Sequence, residues 1–159
     1  MKKIKYIFMF ILMCLLQSCN ITNTQVINYD MLNDYNYFVI STYQTYIEYK
    51  ETLLDSEFYY NDVNFKDIYD EKYFESKGLV IINVTENSSG NKLLYKSYEL
   101  AGNSFTVNIK RTSKNNQSDD IKVWTIFVSI NNEEARLINS VFVNTNGEIK
   151  QIKNFEIFD

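Results

Sequence analysis

From Gly78 onward the chain breaks into short apolar or alternating runs separated by turn residues, and this pattern commits it to a β-sheet. Leu79-Val80-Ile81-Ile82-Asn83-Val84 is almost continuously apolar, as a central strand covered on both faces requires. Residues 93–100 predict a second strand with Leu94, Tyr98 and Leu100 on one face. Residues 104–112 alternate, with Phe105, Val107 and Ile109 inward and Thr106, Asn108 and Lys110 outward. Residues 121–130 form the most apolar run, with Trp124, Ile126, Val128 and Ile130 on one face and Val123 and Phe127 on the other. Val141 to Asn144, then Asn146-Gly147, then Glu148 onward predict a closing hairpin, because Asn-Gly suits a type I′ turn. Phe155 and Ile157 continue the alternation. Asn87 to Asn91, Ala101 to Asn103 and Ser113 to Asp120 are the intervening turns and loop.

Before Gly78 the signals are helical. Tyr43, Tyr46, Ile47, Leu53 and Leu54 recur at helical spacing, so residues 42–54 predict an amphipathic helix. Ser41 and Gln44 have the spacing of a capping box at its start. Tyr37 to Ile40 predict a short strand ahead of it. Residues 55–69 have no clear period, and Asp70 to Glu75 predict one helical turn that Gly78 would stop. A further turn of helix is expected over residues 133–138. The expected fold class is therefore α+β: a mainly antiparallel sheet, curled as a sandwich or half-barrel, with one amphipathic helix packed on it.

The N-terminal residues constrain location and not fold. Lys2, Lys3 and Lys5 precede an apolar run from Ile4 to Leu16, and Leu16-Gln17-Ser18-Cys19 follows. The run is shorter than the roughly 20 residues needed to span a bilayer. The stretch resembles a bacterial lipoprotein signal, which implies cleavage between Ser18 and Cys19 and acylation of the Cys19 thiol. An uncleaved anchor or an ordinary secretory signal is the alternative. Two or more acyl chains, palmitate among them, would hold the protein at the membrane, since each buried methylene contributes only about 0.8 kcal/mol. The expected organisation is a signal peptide over residues 1–18, a lipidated N-terminus and flexible tether over 19–34 with a reach of roughly 20 Å, and one β-rich domain over 35–159. The expected location is the bacterial cell envelope, on the outer membrane or cell surface in a two-membrane cell.

Composition narrows the chemistry. Without residues 1–18 the 159-residue chain keeps 141 residues, and losing three lysines takes its formal charge from -4 to -7. An acidic body disfavours nucleic acid as a partner. No histidine occurs, which excludes Ser-His-Asp and Cys-His catalysis and histidine-held zinc or haem. Cys19 would be the sole cysteine after cleavage, so no internal disulfide can form. The 13 tyrosines and 11 phenylalanines fit core packing in an A/T-rich coding sequence better than an aromatic ligand surface.

Candidate chemical residues each have a plainer reading. The adjacent pairs Asp70/Glu71, Asp119/Asp120 and Glu133/Glu134 could serve a carboxylate-only hydrolase, but neighbours in a strand or turn point apart. Asn61, Asp62, Asn64 and Asp67 lack the glycine and final glutamate of an EF-hand. Asn83 and Asn87 begin glycosylation sequons that high asparagine content produces by chance. Trp124 could stack on a sugar, but its strand is apolar enough to place it in the core. No catalytic residue, metal or cofactor is expected.

From Asp70 to Ile130 the chain resembles a group of small bacterial lipoproteins that includes the C-terminal domain of a PrcB-type subunit of a spirochaete surface protease complex. The resemblance rests on Asp70-Glu71-Lys72-Tyr73-Phe74, Leu79-Val80-Ile81-Ile82, Ser88-Ser89-Gly90, Phe105-Thr106-Val107-Asn108-Ile109 and Trp124-Thr125-Ile126-Phe127-Val128, and it spans roughly 60 of the 141 residues. Asn91 and the proline-free loop over residues 113–120 depart from the group's pattern. The resemblance implies a role in assembly and no catalytic residue. The expected function is a non-catalytic, lipid-anchored module that binds another envelope protein. A small-ligand binder with a tyrosine-lined pocket and a protective immunity or inhibitor lipoprotein are the alternatives.

Overall fold

The computed structural model describes residues 20–24, 36–54, 69–88, 90–113 and 121–154. The signal residues, Ser18 and Cys19 lie outside them, as do the Asn61 to Asp67 segment, Asp119, Asp120, Phe155 and Ile157. The strands are β1 (Asn20–Thr24), β2 (Asn36–Ile40), β3 (Lys77–Glu86), β4 (Lys92–Ala101), β5 (Ser104–Thr112), β6 (Lys122–Asn131), β7 (Ser140–Thr145) and β8 (Glu148–Asn154). The helices are α1 (Tyr43–Leu54) and two single turns, α2 (Glu71–Phe74) and α3 (Asn132–Ala135). All eight strands join one mixed sheet in the order β1-β6-β3-β2-β8-β7-β5-β4, and seven of them form a barrel-like, nearly closed curl. The fold is mainly β with few helices, as the periodicity requires.

Two features correct the expected antiparallel sheet. β5 runs parallel to β7, and β2 runs parallel to β8. Alternation tells which side chains face inward but not which strand lies alongside, so parallel neighbours leave no mark on the pattern. Asn20–Thr24, expected in the tether, instead pair with β6 from Asn20↔Phe127 to Thr24↔Val123. This proline-free run can supply every ladder hydrogen bond that the edge of β6 offers.

The sheet has two apolar layers. Inside the curl, Val80, Ile82 and Val84 of β3 meet Phe105, Val107 and Ile109 of β5, Trp124, Ile126, Val128 and Ile130 of β6, and Val141, Val143 and Ile152. Outside it, Phe38, Ile40, Leu79, Ile81 and Phe127 pack beneath Tyr46 and Tyr49 of α1, with Tyr69 and Phe74. β3 is thus buried on both faces, which explains its continuous apolar run. α1 begins one residue later than expected: the Thr42 hydroxyl, not Ser41, accepts the Thr45 amide, and Gln44 instead donates to Glu48. Tyr49, outside the expected stripe, is buried with Tyr46.

Gly78 lies inside β3 and does not stop a helix. Its absent side chain makes room for Ala135 of α3, which a Cβ on residue 78 would overlap. Asp70 caps α2 by accepting the Tyr73 amide at 2.8 Å. Asn131 and Glu134 close a capping box on α3. The β7–β8 turn has Asn146 and Gly147 at φ 55° and 96°, the left-handed pair that a type I′ turn needs.

Candidate functional site

One acid of each carboxylate pair within the described residues holds the backbone. Asp70 caps α2, and Glu134 accepts the Asn131 amide. Glu71 and Glu133 are exposed. Asn83 bridges two strands: its amide donates to Asn36 at 2.7 Å, and its oxygen accepts from the Thr125 hydroxyl at 2.8 Å. Trp124 is part of the inner core. Among the described residues no three histidine, cysteine or acidic side chains gather as a metal would need, and no helix is long and apolar enough to cross a membrane.

An ion pair that the sequence did not signal, with a buried acid and a half-buried base, joins the ends of β3 and β5. Glu86, 3% exposed at the end of β3, accepts from Arg111 Nε at 2.9 Å and lies 2.8 Å from an Arg111 terminal nitrogen. Its second oxygen accepts from Asn91 at 2.8 Å. Arg111 is in turn tied through its backbone to the Asn146 side chain by two hydrogen bonds of 3.1 Å. The arrangement pins the β3–β4 turn, the end of β5 and the β7–β8 turn together. Its carboxylate is held on both oxygens by Arg111 and Asn91 and acts as a structural clasp.

The tyrosines build structure. Tyr73 donates to the Ser129 hydroxyl at 2.7 Å, and burial pushes its pKa up against the lowering effect of that bond. Tyr69 lies edge-on to Tyr46 and Tyr73, with ring centroids 5.7 and 5.1 Å apart. Tyr98 stacks on Phe105 at 5.2 Å, and burial raises its pKa, with the nearby Glu134 charge adding to the effect. Tyr37 is likewise raised by burial.

Two surface features remain. The first is β4, which pairs only with β5 among the described residues and stands at one end of the strand order. A bulge between Tyr95 and Ser97 shifts its phase by one residue. Leu93 and Tyr95 before the bulge therefore share the core side with Tyr98 and Leu100 after it, as pairing to Ile109, Val107 and Phe105 shows. Leu94, expected on that inner face, instead points outward and is 51% exposed. The second is a cleft of about 610 Å³ between β2 and the β6–β7 connection. Tyr37, Phe38 and Val39 of β2, Arg136 and Ile138 of the connection and Asn154 of β8 line it.

No family model, curated protein or solved structure matches this chain.

Proposed function

We propose that this chain is a lipid-anchored, non-catalytic envelope protein that binds an extended segment of another envelope protein along the outer edge of β4. The observation that carries this reading is that edge: a ten-residue strand ending the sheet order, with Lys92, Leu94, Lys96 and Glu99 all exposed. A strand edge with no second neighbour among the described residues offers main-chain donors and acceptors in a row, and an added strand would satisfy them. Leu94 supplies an apolar contact beside the ladder, and Lys92 and Lys96 favour an acidic segment opposite. The other end of the strand order is β1, which starts one residue after Cys19. Acyl chains on Cys19 would tether the sheet through β1 and leave β4 for the partner. An assembly role of the kind that the PrcB-type resemblance implies belongs to the same class of action, and an inhibitor or immunity role would use the same edge.

A tyrosine-lined ligand pocket has less support. Of the tyrosines, Tyr46, Tyr49, Tyr69 and Tyr73 sit in or against the outer aromatic layer, and Tyr37 alone is a cleft wall among the described residues.

The test separates anchor from edge. Cys19→Ser should move the protein from the membrane to the soluble fraction. Leu94→Asp should leave it at the membrane and lower recovery of its bound partner by ~10-fold, the equivalent of roughly 1.4 kcal/mol. Undiminished partner recovery by a folded Leu94→Asp protein would refute the edge assignment.

A further inference from the structure

We infer that the cleft beside β2 binds a small organic acid, with Arg136 and the Tyr37 hydroxyl holding its carboxylate and Val39 and Ile138 lying against its apolar body. The inference rests on the geometry of the cleft and on the chemistry of its lining, and it is independent of the reading of β4.

The backbone on either side of the cleft is fixed by the fold itself. Asn132, buried at the start of α3, donates to the Ser41 carbonyl at 3.0 Å and to the Phe74 carbonyl at 2.6 Å, and so ties α3 to the residue that follows β2. The capping box of Asn131 and Glu134 sets the turn, and the Arg136 amide donates to the Asn132 carbonyl at 3.2 Å. Further along the connection, the Asn139 amide donates to the Asn103 carbonyl at 3.0 Å. β2 is laddered to β3 along its whole length, from Asn36 to Ile40. The space of about 610 Å³ is therefore built in, and it falls within the roughly 300–1,000 Å³ common for small-molecule sites.

Two lining side chains lack partners among the described residues. Tyr37 is 6% exposed, yet its hydroxyl makes no hydrogen bond within those residues. A tyrosine buried this far ordinarily finds an acceptor for its O–H. Burial raises its pKa, so the hydroxyl stays protonated at neutral pH and is available as a donor. Arg136, the exposed C-cap of α3, pairs with no acid among the described residues. Both groups donate, and an ionised carboxylate only accepts, so one carboxylate can satisfy the hydroxyl and the guanidinium fork together. No acid is among the described residues that line the cleft, and Asn139 and Asn154 add neutral amides. Val39 and Ile138, partly buried against the inner core, supply apolar surface beside these donors. One guanidinium balances one negative charge, which favours a carboxylate over a phosphate monoester carrying close to two.

Titration calorimetry on the full-length protein in detergent, with the signal of detergent alone subtracted, tests the site with three probes that share a benzene ring. Phenylacetate should bind, its neutral amide phenylacetamide should bind at least ~10-fold more weakly, and phenyl phosphate should bind no better than phenylacetate. Arg136→Gln should weaken phenylacetate by ~10-fold and remove its advantage over the amide. The exposed position of Arg136 predicts an unchanged urea midpoint for that variant, which separates a loss of binding from a loss of folding. Tyr37→Phe keeps the ring, removes the hydroxyl and should weaken phenylacetate several-fold. Absence of saturable phenylacetate binding, equal binding of acid and amide, or undiminished binding by Arg136→Gln would overturn the assignment. Tighter binding of phenyl phosphate than of phenylacetate would overturn the carboxylate class.

Discussion

The β2–β3–β6 part of the sheet is sealed on both faces, whereas the β4–β5–β7–β8 part is sealed on one. In the first, α1 and α2 cover the outer face, and alternate residues such as Leu79, Ile81 and Phe127 are apolar to match. In the second, the outer face carries a ladder of polar side chains. Asn144 donates to Asn108 at 2.8 Å, and Asn108 donates to Ser97 and Glu99 at 3.1 Å each. Ser104 and Ser140 pair alongside at 2.9 Å. Strands of similar length and pairing thus serve different ends. The covered part holds the fold together, and the uncovered part ends, among the described residues, at β4, the strand on which the proposed partner would dock.

Outer-face phenylalanines give the largest contrast between these regions. Phe127→Ala should destabilise the protein by about 3–5 kcal/mol, read as a fall in the urea midpoint, because it empties a site inside the aromatic layer. Phe142→Ala, on the outer face of β7 beside Thr106, should cost well under half of that. Equal losses would erase the distinction. Gly78→Ala comes next. Its new methyl overlaps Ala135, and the expected loss of about 1–3 kcal/mol is that of overpacking. Adding Gly102→Ala as a comparison would not isolate this effect, because residue 102 has φ 60° and is strained for another reason. The smallest change is Asn108→Ala, which removes rungs of an exposed ladder and should cost about 1 kcal/mol. A loss as large as that at Phe127 would mean that the polar face is structural after all.

How much of this could be read from the residues depended on range. Buried strands announced themselves, because one face or two faces of burial produce alternation or a continuous run, as in β5 and β3. The β7–β8 turn was legible for the same local reason, since Asn146 and Gly147 carry the left-handed geometry themselves. The bulge near Lys96 was not, because a single inserted residue reassigns Leu94 without changing composition. Gly78 reads locally as a helix stop, because its true neighbour, Ala135, is remote in sequence. The clasp of Glu86 with Arg111 joins different strands, and no local pattern pairs them. The cleft has the same character, being walled by β2 and a connection about a hundred residues later.

The proposal that the β4 edge is the working surface can be tested directly by photo-crosslinking in native membranes. A photoreactive side chain at Leu94, on the exposed edge strand, should capture one discrete protein, and the same group at Glu48, exposed on α1, should capture none. Capture from Glu48 with none from Leu94, or the same products from both, would contradict the account.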